Sequence, residues 1–287
     1  MHGDKMRIVV TGRQGQVARA LAQVNTQHEL VFLARPEIDL ARPEGTTNAV
    51  KRARPDCLLS CAAITSVDVA EADEARAFAV NAEAPGELAR ACAELGVPII
   101  HLSTDYVFGG RQSTPYVESD APDPVNVYGR SKLAGEQAVA ASGARHAIVR
   151  PTWITSPFGG FLLNVLKEAG QGREVRVVAD QIACPTPGLS LARALLAMTE
   201  RLNRDDGPRL TGVFHGAGTL AIDRATVAQA LVDRLNLPGK IVPTRAAEIF
   251  AGALRPNYSA LDSTKLKAVY GLDMGDWRDA VEDVAQA

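Results

Sequence analysis

Aromatic side chains make up only 5% of the 287 residues, and 33 acidic against 31 basic residues leave a formal net charge of −2 and a pI of about 6.2. The basic excess that a nucleic-acid or anionic-membrane partner demands is missing. No apolar run is long enough to span a bilayer. The opening MHGDKMRIVV passes from a short polar lead into a strand-like run, without an apolar signal core or cleavage site. Met6 is read as a candidate natural start, Met1 to Lys5 carry no functional weight, and a cytoplasmic location is expected. Cysteine is scarce, at positions 57, 61, 92 and 184, and no metal-type C-x-x-C pair occurs. Cys57 and Cys61 share the expected strand CLLSCAA, so at roughly 3.3 Å per residue they stand about 13 Å apart. A disulfide needs Cα atoms within about 7 Å, so buried, reduced thiols are expected. The histidines at 28, 101, 146 and 215 have no metal-ligand spacing and are read as structural or exposed, with no metal site.

What is present is a globular composition, 46% hydrophobic and 22% charged. Short β-branched runs alternate with helical patterns. RIVVTG reads as a strand, GQVARALAQV as a helix with Val17, Ala20, Leu21 and Val24 on one face, and ELVFLA as a second strand. CLLSCAA, VPIIHLS and HAIVRP read as further strands, and Pro85 to Leu95 as a helix with Pro85 in its first turn and Gly96 past its end. Strands that are apolar on both faces and alternate with helices predict an α/β fold with a doubly wound parallel sheet, of the Rossmann type. Residues 1–150 are expected to form the nucleotide-binding domain. Residues 151–287 are looser, with TSPFGG, ACPTPG and RDDGPRL as joints, and are expected to form a smaller C-terminal lobe with segments such as GVFHGAG returning to the main sheet.

Between the first strand and helix lies TGRQGQVA. Gly12 and Gly15 permit a tight turn and close approach of the backbone to a pyrophosphate, whose charge meets the free N–H groups of the helix start. The pattern is G-x-x-G-x-x-A, with Ala18 small enough for close helix–sheet packing. Its place after a strand and before a helix favours a nucleotide site over a plain turn. At the end of the second strand FLARPE puts Arg35 where an acidic residue would serve NAD; a guanidinium there suits the 2′-phosphate of NADP, with Glu37 two residues on. Asp39 and Leu40 are candidate adenine neighbours, Asp39 being equally suited to capping.

Three stretches converge where such a sheet binds ligands, at the carboxyl ends of its strands: SCAAIT, HLSTDYVFGG and NVYGRSKLAGE. Tyr128 and Lys132, four apart, share a helix face. A tyrosine hydroxyl titrates near 10, and a neighbouring ammonium, together with a cofactor that carries positive charge when oxidised, is expected to favour its phenolate and bring it towards working range. Tyr128 could then protonate a carbonyl oxygen during hydride transfer, with the Thr104 hydroxyl as a second donor. Y-x-x-x-K alone arises by chance in many chains; its position downstream of the phosphate loop carries the reading. Asp68, Glu71, Asp73 and Glu74 crowd an expected helix start, where they favour the dipole.

TGRQGQVA, STDYVFGG, YGRSKLAGE, RPTWI, DQIACPTP and RPNYSALD occur in an order that resembles the dTDP-4-dehydrorhamnose reductase family of extended short-chain dehydrogenase/reductases, over essentially the whole chain. The resemblance implies NAD(P)H-dependent reduction of the C4 ketone of a dTDP-deoxysugar, with Thr104, Tyr128 and Lys132 as the catalytic set. It implies a cofactor site of Gly12, Arg13, Gln14, Gly15, Gln16, Val17, Arg35, Asp39, Leu40, Cys61, Ala62 and Ala63, with NADPH preferred and NADH admitted. On the substrate side it implies Thr65, Val67, Asp105, Trp153 and Arg255. Some relatives use Mg2+ at a dimer contact; no ligand cluster in the sequence assigns it, and a homodimer is an option. The segment ITSPFGGFLLNVL after Trp153 is more compact than in many relatives, which leaves the shape of the sugar pocket open, and Ala183-Cys184 in DQIACPTP departs from the usual glycine and small residue. Another C4-ketoreductase or epimerase, or a regulatory subunit like the partner of methionine adenosyltransferase, shares the same motifs.

Overall fold

The computed structural model describes residues 5–25, 27–250 and 252–287. Six parallel strands form the central sheet: β1 (Arg7–Thr11), β2 (Glu29–Leu33), β3 (Cys57–Ser60), β4 (Ile99–Leu102), β5 (His146–Arg150) and β8 (Gly212–His215), in the order β2-β1-β3-β4-β5-β8. The register runs without a slip through its centre, with Ile8 opposite Cys57, Leu58 opposite Ile99 and Ile99 opposite His146. Every residue of β3 and β4 is buried, the reason these strands read as unbroken apolar runs.

Helices cover both faces. On one side α1 (Gln16–Val24) packs against α8 (Gly188–Arg204), joining Val17 and Leu21 to Leu191 and Leu195. On the other, α2 (Thr46–Ala53) and α5 (Ala84–Leu95) bring Val50, Leu88 and Cys92 together. All four cysteines are free. GVFHGAG supplies β8, which pairs with β5, so the chain does return to the main sheet after residue 151. The remaining C-terminal elements build a separate apolar cluster from α7 (Phe161–Gly170), β6 (Glu174–Val178), α9 (Arg224–Leu235), β10 (Lys240–Thr244) and α12 (Trp277–Ala285). A two-stranded ladder pairs β7 (Ile182–Ala183) with β9 (Ile222–Asp223), the two short strands that flank α8 and β8 in sequence. Short helices α10 (Ala246–Ile249) and α11 (Thr264–Tyr270) complete the order.

The acidic stretch behaves differently from expectation in part. It forms α3 (Val67–Ala72) and α4 (Glu74–Phe78), and Asp73 caps α4 by accepting from Arg76 N. Asp68 and Glu71, however, reach outside their own helix. Asp68 pairs with Arg255, and Glu71 Oε2 accepts from Val127 N, the first residue of α6 (Val127–Ala140). Long-range partners outweigh the weak pull of a short helix dipole.

Candidate active site

The phosphate loop turns on Gly12, whose φ of +85° lies in the left-handed region, and whose N–H donates to Leu33 O at 2.8 Å. A Cβ there would meet Ala62 Cβ at 3.2 Å. Gly15 differs: its φ is −65°, and a Cβ would meet nothing within 4 Å. It is therefore not demanded by backbone geometry; it leaves open room beside the N-terminus of α1. Ala18 is buried against the sheet as its size predicts.

A cavity of about 1090 Å³ opens at the carboxyl ends of the strands, and every site residue expected from the sequence lines it, from Gly12 to Arg255. Arg13, Arg35, Asp39 and Leu40 lie at one end. Arg13 Nη2 stands 3.9 Å from Glu37, while the Asp39 carboxylate accepts from Ala41 N at 3.1 Å, closing a local turn and capping no helix. The compact segment after Trp153 folds back onto the phosphate loop: Ser156 Oγ donates to Gln16 Oε1 at 3.2 Å, and Arg19 sits over the Phe158 ring at 4.5 Å.

The middle of the cavity belongs to β4 and α6. Asn126 caps α6 by accepting from Gly129 N at 2.8 Å. Gly129 and Gly135 let the helix lie against backbone, since Cβ atoms there would fall 2.1 Å from the carbonyl oxygens of Tyr106 and Asn81. Asn81, in a π-helical turn (Ala79–Glu83), accepts from Ile64 N and donates to Ile64 O and Ser131 Oγ, joining the segment before Thr65 to the helix. Glu136 accepts from Arg150 Nε at 2.8 Å and Nη2 at 2.6 Å, and from Ser103 Oγ at 2.5 Å. This buried pair anchors α6 to β5 and to the end of β4.

Lys132 is only 2% exposed; its Nζ donates to Leu102 O at 2.6 Å and lies 3.3 Å from His101 Nε2. An ammonium has only donors, so Nε2 is the acceptor and Nδ1–H donates to Ser60 Oγ at 3.0 Å. Burial and the Lys132 charge hold this imidazole well below its ordinary range, so it is neutral. His101 is thus a direct neighbour of Lys132 rather than an isolated structural histidine. Burial brings Lys132 down to about 8, opposed by Glu136 and then Cys61.

The Tyr128 hydroxyl is set chiefly by its burial. Burial pushes it above its ordinary range, opposed by the Thr104 hydroxyl, with the Asp105 and Tyr106 charges adding to the rise. The Lys132 ammonium, which donates to Leu102 O and faces His101, is not among the groups that set this hydroxyl. The Tyr106 and Tyr128 rings meet edge to face at 5.7 Å. Thr104 Oγ1 accepts from Tyr106 N and donates to Asp105 Oδ1 at 3.0 Å; Asp105 Oδ2 accepts from Ser259 Oγ at 2.5 Å. Burial raises this carboxyl to about 6 against these hydrogen bonds and the Arg224 charge.

On the far wall Trp153 has a φ of +37°, left-handed for a bulky residue and costing on the order of 1–3 kcal/mol. Its indole lies under the Arg224 guanidinium at 4.2 Å. Arg255 donates to Asp68 Oδ2 and to Ala253 O. Arg224 and Gln181 also line the cavity and were missed from the sequence: Gln181 stands inside the quoted DQIACPTP, whereas nothing local marks Arg224. Among the described residues no group of three or more His, Cys, Asp or Glu is arranged to hold a metal.

Residues 6–287 match the family model described as RmlD substrate binding domain. The chain is 39% identical to the dTDP-4-dehydrorhamnose reductase of Sinorhizobium fredii, over 98% of this chain and 97% of that one. It is 40% identical to the Burkholderia thailandensis enzyme of the same name, over 96% and 97%. A crystal structure of the Bacillus anthracis dTDP-4-dehydrorhamnose reductase in complex with NADP superposes with a TM-score of 0.89 at 28% identity, covering 97% of this chain and 98% of that one. With the fold, the phosphate loop and the Thr104–Tyr128–Lys132 constellation in one cleft, the match along the whole chain has one meaning: this protein belongs to the RmlD substrate-binding-domain family, the family of the dTDP-4-dehydrorhamnose reductases.

Proposed function

We propose that this protein reduces the C4 ketone of dTDP-4-dehydro-L-rhamnose to dTDP-L-rhamnose, using NADPH in preference to NADH. The observation that carries this reading is the buried, neutral Tyr128 hydroxyl beside Thr104 and Lys132 at the sheet end of a cavity that begins at the phosphate loop. A phenol held protonated is the form a general acid needs.

The chain's residues fit a dinucleotide. Gly12 and the open space at Gly15 give a diphosphate access to the start of α1, Arg13 and Arg35 offer cations for a 2′-phosphate, and Lys132 would hold the nicotinamide ribose. The bound cofactor would supply the hydride. Tyr128 would donate its O–H proton to the ketone oxygen as charge develops there, and the Lys132 ammonium would then stabilise the phenolate left behind. Thr104, by turning its hydroxyl from Asp105 to the same oxygen, would hold it in place. Glu37 near Arg13 leaves Arg35 as the freer cation, which supports NADPH. Residues 151–287 would supply most of the sugar side through Trp153 and Arg255, with Thr65, Val67 and Asp105 opposite. Four unpaired thiols agree with a cytoplasmic setting.

With enzymatically prepared dTDP-4-dehydrorhamnose, the absorbance of NADPH should fall. Tyr128→Phe should bind NADPH normally yet turn over at least ~100-fold more slowly, the scale of lost acid catalysis. No consumption of NADPH, or equal consumption by the variant, rejects the mechanism.

A further inference from the structure

Asp105, next to the Thr104 hydroxyl, has both carboxylate oxygens occupied by hydroxyl donors: Thr104 Oγ1 donates to Oδ1 at 3.0 Å and Ser259 Oγ donates to Oδ2 at 2.5 Å. The residue is held in place from both sides. It is 3% exposed, its backbone N–H donates to Pro151 O at 3.1 Å, and the 2% exposed Ser259 is fixed by its own N–H, which donates to Ile182 O at 2.8 Å. Around the carboxyl stand Thr104 and Tyr106 of its own turn, Tyr128 of α6, Cys184 just after β7, Ser259 of the C-terminal segment and the Arg224 cation at the start of α9.

A threonine hydroxyl has one hydrogen. In Thr104 it is committed to Asp105, while the oxygen accepts from Tyr106 N at 3.2 Å. Turning that hydrogen to a ketone oxygen would strip a buried carboxylate of a donor, a penalty that a proton on the carboxyl removes. Once protonated, Oδ1 donates to Thr104 Oγ1 and the threonine hydrogen is released. We propose that Asp105 carries a proton in the reducing complex, that this proton aims the Thr104 hydroxyl at the ketone, and that Ser259 is a positioning residue setting how readily Asp105 takes it. The neutral carboxyl also assists the acid, because an Asp105 charge opposes formation of the Tyr128 phenolate. Burial raises this carboxyl to about 6, with Ser259, Thr104 and Arg224 opposing the rise. The Asp105 proton is not consumed: the cofactor supplies the hydride, Tyr128 supplies the proton that reaches the ketone oxygen, and Asp105 acts through Thr104 alone. The assignment rests on the ketone-reduction reading above and adds what prepares its second donor.

The test is the pH profile of kcat/KM for dTDP-4-dehydrorhamnose at saturating NADPH. The protonated form is the active one, so the parent should lose about 10- to 30-fold as pH rises from about 5.5 to about 7.5, a window below the range in which Lys132 loses its charge. Ser259→Ala removes a hydrogen bond that favours the ionised carboxyl, and should move the midpoint up by about one pH unit. Asp105→Asn, with Ser259 holding the amide oxygen and the amide N–H turned to Thr104, donates at every pH and should show no fall across the window. A merely structural role would lower the rate without moving the midpoint. A parent profile flat through the window, an unmoved midpoint in Ser259→Ala, or a fall that survives in Asp105→Asn overturns the assignment; Ser259→Ala decides alone if Asp105→Asn does not fold. If NADPH is not consumed at any pH, the proposed substrate falls, and infrared difference titration of the protein with NADP+ decides the proton separately. A carboxylic C=O band that appears in the parent as pH falls through about 6, is missing in Asp105→Asn and has a raised midpoint in Ser259→Ala supports it; a parent without that band overturns it.

Discussion

Lys132 shows how one residue's surroundings set a working range. Its burial brings the ammonium down to about 8 despite the opposing Glu136 and Cys61. Leu102 O and the neutral His101 Nε2 accept two of its three N–H groups, which leaves one for a cofactor ribose. The sign follows directly: below about pH 8 the group is charged, and as pH rises through that value the charge is lost. We therefore expect kcat/KM for NADPH to fall above about pH 8; a profile flat to beyond pH 9.5 would contradict a role for the ammonium. The Tyr128 hydroxyl, pushed upward by burial, should not contribute a limb in that range. At this scale the sequence identified which residues matter but not their charge states. Spacing put Tyr128 and Lys132 on one face; burial, which spacing does not encode, sets the state of the phenol.

The catalytic helix α6 is held as a unit. Its first N–H donates to Glu71, Asn126 caps it while donating to Leu254 O, Gly129 and Gly135 seat it on the carbonyls of Tyr106 and Asn81, and Glu136 ties it to Arg150 and Ser103. Removing one partner of a buried ion pair strands the other charge at a cost of about 3–5 kcal/mol. Glu136→Ala should therefore lose about that much stability in urea unfolding and lower turnover by loosening Lys132; a loss under ~1 kcal/mol would show that Arg150 finds another partner. The helix was read in the sequence as the carrier of Tyr128 and Lys132, four positions apart on one face. Its anchors were not, because Glu71, Asn81 and Arg150 come from elements distant in the chain. The same limit applies to Asp68 and Glu71, whose crowding near a helix start suggested a local role that long-range partners replaced.

Over the whole molecule, the strand order reverses direction at β1, with β2 on one side and β3 on the other, and the crevice at that reversal runs into the wall built by Trp153, Arg224 and Arg255. A ligand that bridges these walls stabilises the folded chain by mass action, by about 2.7 kcal/mol at 100 times its dissociation constant. NADPH at that excess should raise the melting temperature, and dTDP added afterwards should raise it again; no response to NADPH would argue against a cofactor role for the phosphate loop. The alternation of apolar runs and helices, the glycine turn and the order of the motifs were enough to determine a doubly wound sheet and a reductase family, because period, turn chemistry and strand-end position are local properties written into neighbouring residues. What only the tertiary structure decided was the company those residues keep: the neutral histidine behind Lys132, the pairing of Arg255 with Asp68, and the placement of Arg224 over Trp153. Each depends on desolvation and on contacts between segments far apart in sequence, and neither quantity has a signature in a short stretch of chain.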